Sequence, residues 1–554
     1  MRGRDVVLES LVAHGVEFLF GNPGTTESPL TDNLGAYPML SYILSLHEGV
    51  SVGAASYYAQ ASGRTGIVNL HVAPGLGNAI GMMYGALKAN SPIIVTAGQQ
   101  DTRLRLRAPL LGHDLAAMAA PVVKWSIQPE HADECADIMR RAFKIAHDPP
   151  AGPVFVALPI NVMEQETENL AIPSGMLYRT PGVDPVAVQD LAQHLLGAKA
   201  PAIVIGDDVA RAAAGDKVAA LAEAIGAPIW LEVIHQHRAL PSDHPNLRGV
   251  LPIDAASIAA AFGETDLVLL IGGPFFEEIW FAEGAPFPSG AKVLQIEESH
   301  ERLSRNYALT AGLVSSIALA LSSLNDMVRK MGTASIREDA QKRSQKLKSL
   351  KEEEALAQRA RLENLRSRRP MPVALTMATL AEAIPPDVVI VEEAITGSPD
   401  LTQAFHFSGP GDYFCGRGGG IGQGLAGALG VQLANPDRAV VCISGDGSAM
   451  YSITAFWTAA HHHLPVVFII LSNREYRILK HNVDIYRQRF GVESNRTYAQ
   501  LELCEPELGF VEMAAGMGIV GCRVTEPQEL VTAVGEALAS GSPRVIDVAI
   551  EPKL

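Results

Sequence analysis

Gly445-Asp446-Gly447-Ser448 follows an apolar run, Ala439–Ser444, and a second apolar run, Val466–Leu471, ends in Ser472-Asn473. With a helical stretch between them, the runs read as two strands of a βαβ unit, whose carboxyl ends share one sheet edge, so Asp446 and Asn473 converge. A carboxylate and an amide oxygen in one place suit a hard cation. Mg²⁺ wants six oxygens and takes few protein carboxylates when phosphate oxygens complete its octahedron. Asp446, the Asn473 side-chain oxygen, a backbone carbonyl just beyond it and phosphate oxygens would nearly fill that shell. Gly447 permits close backbone approach, and the helix starting at Ser448 offers N–H groups to an anion. A lone Gly-Asp-Gly is an ordinary strand-to-helix turn; the succession strand, helix, strand, Asn is what points to a metal-bound diphosphate.

Three further groups carry chemistry. Glu48, in Leu44-Ser-Leu-His-Glu48-Gly-Val-Ser-Val, lies between apolar residues at a strand-to-helix junction. On its own, such a Glu complements the dipole of a first helical turn. His71 follows a buried strand and precedes Ala73-Pro74-Gly75, which sets its side chain at the carboxyl edge of a sheet; a strand-end His is more often structural than catalytic. Ile421 sits in Gly418-Gly-Gly-Ile-Gly422, where the glycines allow a ligand close to the backbone. His461-His462-His463 invites a metal reading, but consecutive helical residues point in different directions, and a polar C-terminal helix turn explains them better.

The elements that must position these groups follow from apolar periodicity. Val- and Ile-rich runs alternate with helix-like segments at Ile67–Leu70, Pro92–Ala97, Val154–Ala157, Ala202–Ile205, Leu267–Ile271, Val293–Ile296, Val388–Val391, Ala439–Ile443, Val466–Leu471 and Val545–Ala549. That is the pattern of parallel sheets buried on both faces. It predicts an α/β chain of three doubly wound domains, over 1–170, 184–325 and 372–554, with a charged, solvated linker helix over 326–371. A chain of 554 residues, 48% hydrophobic and 19% charged with 50 Gly and 35 Pro, is long enough for several cores. A net charge of -16 argues against a nucleic-acid partner. Five scattered cysteines without CxxC spacing predict neither disulfides nor zinc and fit a reduced cytoplasm. No apolar run reaches membrane-spanning length, and Met1-Arg2-Gly3-Arg4-Asp5 leads into an amphipathic segment rather than a signal-peptide core, so a soluble protein is expected.

Gly445-Asp446-Gly447 through Ser472-Asn473 resembles the thiamine-diphosphate (ThDP) motif of the pyruvate decarboxylase and acetolactate synthase superfamily. Phe20-Gly-Asn-Pro-Gly-Thr25, Asn69-Leu-His71, Gly77-Asn78-Ala79, Val95-Thr-Ala-Gly-Gln-Gln100 and Gly445-Asp-Gly-Ser-Ala-Met-Tyr-Ser452 most resemble benzoylformate decarboxylase. The resemblance implies a pyrimidine-binding, a central and a diphosphate-binding domain, with active sites shared between subunits of a homotetramer, a dimer of dimers. It implies Mg²⁺ on Asp446, Asn473 and the Glu475 carbonyl, diphosphate contacts from Gly447, Ser448, Tyr476 and Thr396, and Ile421 wedged beneath a V-shaped cofactor. Glu48 becomes the carboxylate that activates the aminopyrimidine of a cofactor held by the other subunit, so that a C2 carbanion forms. His71 becomes a proton donor or relay, and Thr25 a hydroxyl for the substrate carboxylate. Leu110, Leu111, His113, Phe414, Ile478 and Leu479 become pocket residues suited to an aryl or alkyl group.

The activity implied is lyase chemistry, decarboxylation of a benzoylformate-type 2-oxo acid through an enamine. Two departures qualify the resemblance. Cys415-Gly-Arg417-Gly-Gly carries an extra residue, and Gly273-Pro-Phe-Phe-Glu-Glu-Ile-Trp280 has no histidine where benzoylformate decarboxylase has its second one. Without that proton donor the enamine would outlive protonation and could meet an aldehyde or another carbonyl, which makes a carboligase or 2-hydroxyacyl-CoA lyase the alternative. Glu277, Glu278 and His113 are the candidate replacements. Ile205-Gly-Asp-Asp208 lacks a dinucleotide fingerprint, so no cofactor is assigned to the central domain.

Overall fold

The computed structural model describes residues 1–177, 181–281 and 283–552. Its apolar runs form three six-stranded sheets whose strands pair in parallel. The first contains β1 (Phe18–Gly21), β2 (Ser41–Leu44), β3 (Gly66–Leu70), β4 (Ile93–Gln99), β5 (Trp125–Ile127) and β6 (Val154–Pro159), in the order β2-β1-β3-β4-β6-β5. The second contains β7 (Pro201–Ile205), β8 (Ile229–Leu231), β9 (Leu247–Val250), β10 (Leu267–Ile271), β11 (Lys292–Glu297) and β12 (Ala311–Val314), in the order β12-β11-β10-β7-β8-β9. The third contains β13 (Val389–Glu393), β14 (Tyr413–Cys415), β15 (Val440–Gly445), β16 (Val467–Ser472), β17 (Val520–Val524) and β18 (Arg544–Ala549), in the order β14-β13-β15-β16-β18-β17. In each, the chain leaves the first strand in one direction and later returns to its other side. The carboxyl ends flanking that reversal form a crevice, the usual ligand position of open α/β sheets.

The chain packs as two compact units, Met1–Leu177 with Ser367–Phe405 and Phe414–Leu554, and Tyr178–Arg366 with His406–Tyr413. In the first unit, the first and third sheets share a single core. The helix Glu48–Ser62 lies directly on the helix Gln423–Ala434, through small residues. A Cβ on Gly53 would come within 2.7 Å of the Ala426 Cβ, and one on Gly430 would strike the Ala54 carbonyl. The helix headed by Glu48 is thereby fixed against the helix that follows Ile421.

The second unit holds the middle sheet around its own core. Its charged helix, Ala334–Leu365, is largely exposed along its length and is held to the unit at a few points. Ala340 is buried, Arg343 donates to the carbonyls of Ile225 (2.7 Å) and Lys199 (3.2 Å), and Lys351 donates to those of Ser242 and His244, both 2.7 Å. Long cationic side chains let a largely polar helix dock by capping exposed carbonyls. No helix among the described residues is long and apolar enough to cross a membrane.

Candidate active site

The reversal of the third sheet lies between β13 and β15, and the Gly445–Ser448 turn leaves β15 there. Asp446 is buried at 4% exposure; its Oδ1 accepts from Gly447 N–H (2.8 Å) and its Oδ2 from Arg474 N–H (2.7 Å). Asp446 and the Asn473 corner are therefore joined, as the βαβ reading requires. The Asn473 Oδ1 accepts from Glu475 N–H at 3.0 Å, and Arg474 takes a positive φ of 62° to make the bend. Burial pushes the Asp446 carboxyl up to about 6, with the negative Asp547 adding to the rise. Lys480 and Arg477 engage the Glu475 carboxylate, so what Glu475 can offer a cation is its backbone carbonyl. A Cβ on Gly447 would run into the Tyr476 ring, which explains the glycine. Thr396 is half-buried in the turn Ile395–Gly397 that follows β13, across the same crevice. The helical stretch after Ser448 is broken: Asp446–Ala449, a tight turn Met450–Ser452, then Ala455–His461. His461 ends that helix and His462 accepts from Leu44 N–H at 2.9 Å, an end-of-helix role.

The reversal of the first sheet lies between β1 and β3. His71 follows β3, and its Nδ1 is 2.9 Å from Oε2 of Glu27, whose side chain is fully buried. Glu27 also accepts from Gly24 N–H (2.8 Å), Thr26 Oγ1 (2.9 Å) and Gly98 N–H (2.7 Å). With both carboxylate oxygens occupied by donors, the Nδ1 of His71 carries the proton and its Nε2 is left for chemistry. A Cβ on Gly24 would collide with the His71 ring. Sequence reasoning passed over Glu27; its signal was the acid three residues after Gly24, a spacing from which a carboxylate can accept the N–H that precedes a helical turn, as Glu27 does from Gly24. Thr25, in the same turn, is exposed. Glu48 opens its helix at 7% exposure, behind His47, which caps the helix by accepting from Gly49 N–H. The Glu48 Oε2 accepts from Asn78 Nδ2 at 3.0 Å, and its Oε1 would be 3.1 Å from any Cβ on Gly75.

The remaining sequence candidates are more scattered. Leu110 is 92% exposed, Leu111 packs partly on the core, and His113 is exposed. Ile478 and Leu479 lie in the first turn of the helix Arg477–Phe490, beside Tyr476. Phe414 is a core residue at 2% exposure. Ile421 is half-buried in the turn before the helix Gln423–Ala434. Glu277 and Glu278 belong to the second unit, where Phe275 and Phe276 fill an aromatic cluster with Phe287 and Tyr307.

The thiamine pyrophosphate enzyme N-terminal TPP binding domain matches residues 1–120, the central domain 188–324 and the C-terminal TPP binding domain 396–548. Benzoylformate decarboxylase of Pseudomonas aeruginosa is 34% identical over 553 residues, covering 98% of each chain. The chain belongs to the thiamine-diphosphate-dependent enzymes. Within that family it is also 25% identical to acetolactate synthase isozyme 3 large subunit of Escherichia coli, over 97% of this chain and 92% of that one. The crystal structure of benzoylformate decarboxylase from Polynucleobacter necessarius superposes with a TM-score of 0.87 at 28% identity, covering 100% of this chain and 99% of the other.

The residues present fit a ThDP diphosphate and its cation. Asp446 is a buried carboxylate whose ionisation is disfavoured by its surroundings, the situation a bound cation reverses. Among the described residues no cluster of three or more His, Cys, Asp or Glu is arranged to hold a metal. A cation here would therefore draw on amide, carbonyl and phosphate oxygens around the single Asp446 carboxylate, a donor set for a hard ion.

Proposed function

We propose that this ThDP-dependent enzyme is a lyase that decarboxylates a 2-oxo acid of the benzoylformate type with Mg²⁺ as its cation. Asp446, Asn473 and the Glu475 carbonyl hold the Mg²⁺; Gly447, Ser448, Tyr476 and Thr396 hold the diphosphate; Ile421 supports the rings and Glu48 meets the pyrimidine. When bound, ThDP supplies a nucleophilic carbon that accepts the electrons released by carbon–carbon cleavage. The observation that carries the decarboxylase reading is the Glu27–His71 pair: a histidine held in one tautomer at the crevice, able to pass a proton through Nε2. Glu48, buried at the start of its helix and accepting from Asn78, is screened from water. Thr25 offers its hydroxyl to the substrate carboxylate, and apolar side chains from Leu110, Leu111, Ile478 and Leu479 receive the aryl or alkyl group. Supplying benzoylformate alone and measuring CO₂ and benzaldehyde tests this; both are expected in equal amounts, and CO₂ without aldehyde, or no turnover, refutes it.

A second reading, carboligation or 2-hydroxyacyl-CoA cleavage, is favoured by the absence of histidine from Gly273–Trp280, where Phe275 and Phe276 are buried instead. Adding an acceptor aldehyde or formyl-CoA and finding a coupled product that outpaces benzaldehyde would select it. We further propose a cytoplasmic homotetramer in which Glu48 of one copy serves the cofactor of another. Leu106, 92% exposed, supports a contact that a second copy covers. Native mass spectrometry should give a tetramer; a monomer that turns over refutes the shared site.

A further inference from the structure

Glu392 and Glu393 end β13 side by side, and both are buried, at 1% and 4% exposure. Glu392 acts locally, accepting from Ala394 N–H (2.6 Å) and Ser398 Oγ (2.5 Å), and so shapes the turn that carries Thr396. Glu393 reaches across to the loop before the helix Gln423–Ala434. Its Oε1 accepts from Gly422 N–H (2.8 Å) and Gln423 N–H (3.0 Å), and its Oε2 from Gly424 N–H (2.9 Å). Gln423, 5% exposed, then turns back over the same loop and donates from Nε2 to the carbonyls of Arg417 (2.8 Å) and Gly420 (2.7 Å).

The segment so gripped is Arg417-Gly-Gly-Gly-Ile421-Gly422, with positive φ at Gly418 (85°), Gly419 (73°) and Gly422 (94°). Glycines in this region have little conformational preference of their own, so the shape of the loop must be imposed from outside. A helix start needs no buried acid for that purpose: a serine, an asparagine or solvent would satisfy its N–H groups. Here burial outweighs the three hydrogen bonds and pushes the Glu393 carboxyl up to about 7, a desolvation cost that simple capping does not justify.

We propose that Glu393 is a positioning residue that, with Gln423, holds the glycine loop so that Ile421 meets the ThDP rings at a fixed height and direction. This rests on the reading of Ile421 given above. It also gives the extra residue near Arg417 a reason to be tolerated, because both ends of the enlarged loop are tied to Glu393 or Gln423.

The test uses the full chain carrying Glu393→Gln, Gln423→Ala, Ile421→Ala and the double variant Glu393→Gln/Ile421→Ala. Hydrogen–deuterium exchange without cofactor should show the 416–424 amides exchanging at least ~10-fold faster in the first two variants, as expected when the acceptor of the Gly422, Gln423 and Gly424 N–H groups is weakened or the Gln423 Nε2 donor to the loop carbonyls is removed. Calorimetric ThDP affinity in the presence of Mg²⁺ should fall about 10-fold in Glu393→Gln and in Ile421→Ala, with the double variant no weaker than Ile421→Ala alone, the non-additivity of two residues acting through one contact. The near-ultraviolet circular dichroism of bound ThDP should change in the same variants. Unchanged exchange, or faster exchange with unchanged affinity, overturns the proposal, as do additive losses in the double variant. If Glu393→Gln does not fold, Gln423→Ala decides, because it removes only the two inner loop bonds. Failure of the wild-type chain to bind ThDP would instead strike the reading of the site, while the exchange arm would still judge the clamp.

Discussion

Replacing Glu27 by Gln probes the His71 assignment at a single atom. The carboxylate accepts four hydrogen bonds, two at each oxygen, from Gly24 N–H and His71 Nδ1 and from Thr26 Oγ1 and Gly98 N–H. A glutamine keeps one accepting oxygen and points an NH₂ group at the other pair of donors. If the amide nitrogen faces His71, the imidazole loses its partner and is free to turn or change tautomer. A hydrogen bond to a charged group contributes ~1.5–3 kcal/mol, so the population of correctly held His71 should fall ~10- to 150-fold. The kcat for benzoylformate should drop in that range, whereas ThDP affinity should stay within about threefold, because the loss is confined to the chemical step. Steady-state CO₂ release and calorimetry on the same preparation provide both numbers. A kcat within about twofold of wild type would refute the role of the pair. A parallel loss of kcat, ThDP affinity and melting temperature would show that Glu27 serves only the fold. Glu27→Ala should lower the melting temperature more than Glu27→Gln, since it strands buried N–H groups at Gly24 and Gly98, each at a cost of ~1–3 kcal/mol.

Glu48→Gln should leave secondary structure and ThDP binding largely intact and cut turnover by orders of magnitude, measured under saturating cofactor; normal activity would sink the assignment. Asp446→Ala should abolish Mg²⁺-dependent ThDP binding in calorimetry, and unchanged affinity would remove Asp446 from the metal site. The Glu393 carboxyl, raised to about 7 in the fold, stabilises the chain fully only below its unfolded value. That contribution is lost as pH rises through 7, so the melting temperature of Glu393→Gln relative to wild type should climb between pH 4.5 and 8. A pH-independent difference would contradict the burial of the charge.

Much of the architecture was legible in the apolar runs. The strands foreseen, β3, β4, β6, β7, β10, β11, β13, β15, β16 and β18, occupy sheet interiors, where burial on both faces demands continuous Val, Ile and Leu. The strands that went unseen include every sheet edge, β2, β5, β9, β12, β14 and β17, together with β1 and β8 beside them. Edges are half-exposed: β17 shows one buried residue in five, and β5 none, so neither writes an apolar run.

The candidate site divides along the same line. Asp446 and Asn473 could be brought together from sequence because one βαβ unit, a local object, fixes both strand ends on one edge. Glu48 was legible as a helix-start acid, and the ThDP resemblance supplied its chemistry. Glu27 under His71, and Glu393 under the Ile421 loop, were not, since each joins elements that become neighbours only where the sheet reverses direction. Nor did periodicity reveal that the first and third sheets form one unit. That was decided by Gly53 against Ala426 and Gly430 against Ala54, small residues whose meaning exists only once two helices cross. The sequence by itself determined which side chains could do the chemistry and which strands must be buried; the tertiary structure alone decided which carboxylates hold those side chains still, because long-range packing chooses the partners of a buried charge.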